Sequence, residues 1–244
     1  MRRSPPPVPR PSPGPRDGSG PRRLSDAFYM FVYGACWPAF AVSSSPLVLH
    51  RDRARRRGAY ILAANHLSVF DVPCLIKDTP RLLDFVSIVE VFRNPPVAWF
   101  FSSMNAFPLD RGRVDPATAR IILDRLRRGR VVAMFPEGRI RNESESVIHG
   151  APFKRGIARL AQLAGVPIVP CVVLGTGAYT RVASWVPLRR TRYGVNYGQP
   201  IPPAEDHQAT EAALRQAYLD LYEELHSALR PAAAGSTRDK NSTH

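Results

Sequence analysis

The chain has 244 residues, 44% of them hydrophobic, and a formal charge of +14 from 34 Lys and Arg against 20 Asp and Glu. That length and apolar content are enough for one sizeable core, most naturally a single domain once the ends are set aside. Its three cysteines, Cys36, Cys74 and Cys171, are widely spaced and form no CxxC pair, which argues against a disulfide framework and a cysteine zinc site and points to free thiols in a reducing compartment.

Residues 1–24 are rich in proline, glycine and arginine and have little to bury, so a disordered basic arm is expected there. The next segment, 25–45, contains the uncharged, aromatic-rich run "AFYMFVYGACWPAFAV" at 27–42. Sixteen residues fall short of the roughly 20 that a bilayer span requires, and Gly34 and Pro38 interrupt them. Residues 1–23 and the stretch "RDRARRR" at 51–57 supply +5 and +4 of the net charge and bracket this run. Two readings follow: a helix lying in the surface of an anionic membrane on its cytoplasmic face, or a first core helix behind a basic tail. A secretion signal is not indicated, because the apolar run starts late and no clear small-residue cleavage site follows it.

From 46 to 230 short apolar runs alternate with amphipathic ones. Strands are expected at 46–50, 59–64, 82–89, 131–135 and over "VPIVPCVV" and "RYGVNYG". Helices are expected over "VPCLIK", after the prolines of "NPPVAWFFSSM", over "ATARIILDRLRR" with Asp115 as its cap and Pro116 at its first position, over "FKRGIARLAQLA", and at about 208–229. The last stretch, 231–244, reads as a second disordered tail. This alternation specifies an α/β fold: a layered, mixed and largely parallel sheet flanked by helices, with the N-terminal segment as a membrane-interacting helix.

The residues that carry chemistry lie at the expected strand ends, where ligand sites gather in such sheets. "ANHLSVFDVP" places His66 five residues before Asp71, about 140° apart around a straight helix, so the two could meet only across a turn between a strand end and a helix start. Taken alone, Asp71 could be a helix cap and His66 a polar strand end. Alternatively, the carboxylate holds one imidazole nitrogen protonated and leaves the other to take a proton from a hydroxyl. Arg111 and Glu137 also follow expected strands, the latter in "FPEGRIR".

Four blocks in this order, "NHLSVFD", "FPLDRGR", "FPEGRIR" and "VPIVP", together with "FKRGIARLA", resemble the glycerolipid acyltransferases of the lysophosphatidic acid acyltransferase type over about 59–175. The resemblance implies a general base, His66, oriented by Asp71, and an acceptor phosphate held by Arg111 and by the block Glu137, Gly138, Arg139 and Arg141. It also implies a fatty acyl chain passing from acyl-CoA or acyl carrier protein, as co-substrate, to a lysophospholipid such as 1-acylglycerol 3-phosphate. One position departs from the pattern: Ile140 stands where the family commonly has an arginine, so Arg139 or Arg141 takes its place or the acceptor headgroup differs, as in a lyso-ornithine lipid. With no GxSxG elbow and no cysteine near His66 in sequence, direct attack by the acceptor is favoured over an acyl-enzyme. No cofactor and no metal are expected. A non-catalytic basic protein binding membrane or nucleic acid is the competing class, but no nucleic-acid motif supports it and no nucleic acid is expected as partner.

Overall fold

The computed structural model describes residues 23–88, 92–109, 116–154, 156–186 and 190–230. Among these residues seven strands run in the order β1 (Ser44–Leu49), β7 (Thr191–Tyr197), β6 (Ile168–Leu174), β2 (Tyr60–Ala64), β5 (Val131–Met134), β3 (Leu83–Ile88) and β4 (Phe107–Leu109). Neighbours are parallel except β6 and β7, so β1 and β7 run against the other five and the expected mixed, largely parallel sheet is found.

Among the described residues seven helices accompany the strands: α1 (Arg23–Ser43), α2 (Arg51–Ala54), α3 (Asp71–Asp78), α4 (Pro95–Ser103), α5 (Pro116–Arg127), α6 (Ile157–Ala164) and α7 (His207–Leu229). The two-residue period of β2 divides the core. Tyr60, Leu62 and Ala64 belong to one apolar layer with Phe40 of α1 and Cys74 and Leu75 of α3. Ile61 and Ala63 belong to the other, with Ile122 of α5, Ile157 of α6 and Leu214 of α7. Buried on both faces, β2 is apolar after Tyr60, whose hydroxyl donates to the Ala54 carbonyl, and just past its end the amide of Asn65 pairs with the backbone N–H and C=O of Val173.

Helix α7 presents Thr210, Leu214, Tyr218, Leu221 and Leu225 to that second layer, a spacing of three or four that keeps one stripe inward. Asp206 caps it, accepting from the N–H groups of Gln208 and Ala209. Its approach to the sheet requires Gly194, since a Cβ there would lie 2.6 Å from Leu225 Cδ1.

Helix α1 begins at Arg23, two residues before the expected boundary, and continues through Gly34 and Pro38. Its inner face buries Tyr29 and Phe40, while Phe31 and Trp37 remain 70% and 50% exposed. An ion network anchors its start: Arg130 bonds both Asp26 of α1 and the buried Asp84 of β3, Arg125 bonds Asp84 at 2.6 Å, and Asn105 donates to Asp26. The described helices include none long and apolar enough to cross a membrane. The arginine-rich stretch at 51–57 leads into the start of β2, whereas His66 follows its end, so these residues sit toward the opposite edge of the sheet from His66. Two of their guanidinium groups are committed to carbonyls, Arg51 to that of Asp78 and Arg53 to that of Tyr197. Asp115, the expected cap of α5, and the expected tails at 1–22 and 231–244 lie outside the described residues.

Candidate active site

The order β6-β2-β5 at the centre of the sheet decides which loops meet. Ala63 is in register with Met134 and Ala64 with Cys171, so the segments that follow β2, β5 and β6 emerge side by side. They carry His66 and Asp71, residues 135–141, and Thr176, which are far apart in sequence.

After β2 the chain turns at 66–70 before α3 opens at Asp71, with the Asp71 N–H donating to the Ser68 carbonyl. The Asp71 side chain, fully buried, reaches back into this turn. Its Oδ2 accepts from His66 Nδ1 at 2.9 Å, from the Leu67 N–H at 2.8 Å and from the Ser68 N–H at 2.9 Å. Its Oδ1 accepts from the Thr176 hydroxyl. Asp71 thus joins His66 across the turn, and it does so as the first residue of α3 and not as its cap: Phe70 holds the cap position, and the carboxylate accepts from amides of the turn that precedes the helix. An oxygen already accepting two amide N–H bonds requires the third partner to be a donor, so the proton of neutral His66 sits on Nδ1. Nε2 is left without a protein partner among the described residues.

The His66 ring stacks on Phe135 with centroids 4.1 Å apart and planes inclined by 17°. Both line a cavity of about 630 Å³ whose walls are almost wholly apolar, formed by α1 (Val32, Trp37), α3 (Val72, Ile76) and α4 (Phe100, Phe101). Such a volume is of the size that holds one extended ligand.

The "FPEGRIR" block divides its roles. Glu137 is turned inward, 4% exposed, with Oε1 accepting from Ser146 Oγ at 2.5 Å and from the Val147 N–H at 3.2 Å. Burial pushes its carboxyl above the usual range. The side chain therefore braces the loop after β5. Gly138, at φ 69°, makes the turn and lines the cavity with Ile140. Arg139 is exposed and Arg141 half-buried, and neither side chain has a hydrogen-bond or ion-pair partner among the described residues. The backbone N–H of Arg141 donates to the His66 carbonyl at 2.8 Å, which sets this loop against the imidazole. Arg111 lies outside the described residues.

Three residues of the site went unnoticed in the sequence. Phe135, the platform under His66, appears in the sequence only as a strand end and the first residue of "FPEGRIR", with nothing to mark it as a stacking partner. Lys154 lies across Gly138, where an added Cβ would meet its Cε at 2.9 Å, so its exposed ammonium stands beside the arginine loop. Thr176 is 105 residues from Asp71, and nothing in its neighbourhood signals the pairing.

A family model for acyltransferases matches residues 47–174, just over half the chain and the whole of this constellation except Thr176. The chain belongs to the acyltransferase family. Among its relatives, the 1-acyl-sn-glycerol-3-phosphate acyltransferase of Bacillus subtilis is 26% identical over 148 residues, covering 60% of this chain and 71% of that protein. A chloroplastic enzyme of the same name from Brassica napus is 31% identical over 121 residues, or 48% of this chain, but only 33% of its own length is matched. The crystal structure of the acyltransferase PlsC from Thermotoga maritima superposes with a TM-score of 0.60 over 84% of each chain, at 19% identity, and shares the fold. As an acyltransferase, this protein acts on an acyl donor and a lysolipid-type acceptor, with His66, Asp71 and the loop after β5 gathered at the C-terminal ends of β2 and β5.

Proposed function

We propose that this acyltransferase moves a fatty acyl group from the thioester of acyl-CoA or acyl carrier protein to the free hydroxyl of 1-acylglycerol 3-phosphate, giving phosphatidic acid. The observation that carries the reading is the His66 Nδ1 to Asp71 Oδ2 bond of 2.9 Å at the wall of an apolar cavity large enough for an acyl chain. His66 Nε2 takes the proton of the acceptor hydroxyl as its oxygen attacks the thioester carbonyl, and Asp71 stabilises the imidazolium. The tetrahedral intermediate collapses with loss of the thiolate, which receives that proton, leaving the ester and the free thiol. Cys74 and Cys171 are poor nucleophiles, since both are buried and burial pushes their thiols up, away from the reactive thiolate, whereas the exposed Cys36 lines the cavity from α1.

Arg141, Arg139 and Lys154, together with Arg111, are the cations proposed to hold the acceptor phosphate. Arginine offers a planar fork of donors to it and lysine a point charge. The exposed apolar residues of α1 and α4 are proposed to rest on an anionic membrane at its cytoplasmic face, which would let lipid substrates enter the cavity without crossing water. A second reading has one specific support: Ile140 lines the cavity at the position where the family commonly has an arginine, which suits a different headgroup, as in a lyso-ornithine lipid. The test is product analysis of purified protein with labelled acyl-CoA and a panel of lysolipids. Phosphatidic acid as main product is the expected result; preference for an acceptor without a terminal phosphate selects the second reading.

A further inference from the structure

We propose that Thr176 is a positioning residue for acyl transfer, holding Oδ1 of Asp71 so that Oδ2 stays committed to His66. The proposal rests on His66 acting as the base. The two oxygens of Asp71 are unequally served: Oδ2 accepts from the imidazole and two backbone amides, whereas Oδ1 has the hydroxyl of Thr176. The carboxylate is fully buried, so no solvent replaces that donor. Without it the carboxylate gains by rotating about its Cβ–Cγ bond to share the amides of Leu67 and Ser68 between both oxygens, and any such rotation draws Oδ2 away from His66 Nδ1.

The chain builds Thr176 into place. It is itself buried, and its branched Cβ restricts the rotamers that aim the hydroxyl. Gly175 before it sits at φ 83°, where a Cβ would come within 3.0 Å of the Arg192 carbonyl oxygen, so the turn out of β6 requires glycine. After it, a single 3₁₀ turn over Thr176–Thr180 plants Tyr179 against Phe40 of α1, Phe70 beside α3 and Trp185, with ring centroids 5.0 to 5.8 Å apart. A residue outside the matched family blocks thus completes the support of the base, from a third strand.

The experiment compares Thr176→Val, which keeps the shape and removes the hydroxyl, with Thr176→Ser, which keeps the hydroxyl. Thr176→Val is expected to lower kcat by about tenfold or more while the KM values for donor and acceptor change less than about twofold, and Thr176→Ser to recover most of the loss. Should Thr176→Val not fold, Thr176→Ala carries the same comparison, since it adds no volume. A readout independent of turnover is the low-field proton resonance of His66 Nδ1–H, assigned by its absence in His66→Ala. It is expected in the wild type and in Thr176→Ser, and lost to solvent exchange in the variants without a hydroxyl. If wild-type protein transfers no acyl group, the functional reading fails while the resonance still decides the role of Thr176. A folded Thr176→Val or Thr176→Ala protein with wild-type kcat and an unchanged resonance, or a Thr176→Ser protein as impaired as they are, overturns the proposal.

Discussion

The backbone N–H of Arg141 donates to the carbonyl of His66 at 2.8 Å, fastening the loop after β5 to the loop after β2. Main-chain atoms make this bond, so the Arg141 backbone is held against that of His66 while its guanidinium has no partner among the described residues. In the proposed reaction this bond limits how far the cation's backbone can move from the base, as an acceptor with a hydroxyl at one end and a phosphate at the other requires.

His66→Ala is expected to reduce acyl transfer by about 10²–10⁴ while leaving the fold intact, because the acceptor hydroxyl loses its base. Asp71→Asn should be severely impaired as well, since its amide group bears no charge to stabilise the imidazolium. Thiol release from acyl-CoA, followed alongside circular dichroism, checks both. Turnover in His66→Ala above about a tenth of wild type would remove His66 from that role.

Arg139→Ala, Arg141→Ala and Lys154→Ala are each expected to act on the acceptor side. One charge-assisted bond is worth about 1.5–3 kcal/mol, so the residue that touches the phosphate should raise the acceptor KM roughly ten- to a hundredfold, with the donor KM little changed. Arg141, tied by its backbone to His66, should show the largest effect. Arg111→Ala belongs in the same series. A flat acceptor KM across all four would discard the phosphate-clamp reading.

Glu137 offers a pH-dependent prediction. Burial raises its carboxyl value, with the bonds from Ser146 and Val147 opposing, so the folded state binds this proton more tightly than the unfolded chain does. Its contribution to stability is therefore fully present below the ordinary carboxyl value and is lost as pH rises through the folded one. Glu137→Gln keeps an acceptor for Ser146 without the charge. Its Tm at neutral pH should equal or exceed that of the wild type, and the fall in Tm with rising pH through the weakly acidic range should flatten. A Tm several degrees lower at neutral pH would mean that the ionised carboxylate stabilises the loop.

Phe31 and Trp99, 70% and 62% exposed on α1 and α4, test the proposed membrane contact. Burying one large apolar side chain contributes about 1.5–3 kcal/mol, so Phe31→Ser with Trp99→Ser should weaken partitioning onto anionic vesicles by at least about tenfold. Neither residue lines the cavity, and activity on detergent-dispersed substrate should persist. Deleting 1–22 should instead reduce the dependence of binding on salt and anionic lipid. Vesicle sedimentation that is unaffected by the double substitution would exclude this face.

Asp84 accepts from Arg125 and Arg130 while fully buried, and Arg130 carries the connection on to α1. Removing one partner of a buried ion pair costs about 3–5 kcal/mol, because the other charge is left uncompensated. Asp84→Ala should therefore lower Tm markedly in thermal denaturation, far more than Arg128→Ala, whose pair with Asp124 is exposed. Similar losses for the two would show the network to be dispensable.

By itself the sequence determined the periodic parts of this protein. Two-residue and 3.6-residue patterns specify strands and helices locally, and Pro116, Gly129 and Gly165 mark helix ends through backbone restrictions that need no tertiary partner. The family blocks, read in order, likewise identified His66 and Asp71 before any contact between them was visible. Only the tertiary structure decided what the strand order controls. Placing β5 between β2 and β3, and β6 on the other side of β2, brings Phe135, Arg141 and Thr176 around His66, and no local pattern encodes which strands become neighbours. The same holds for Glu137: a carboxylate after a strand reads as exposed chemistry, but packing of the loop against Ser146 and Val147 turned it inward. Sequence period reports which face of an element is apolar, whereas side-chain pairing across elements depends on long-range register, which is set only when the whole core is buried.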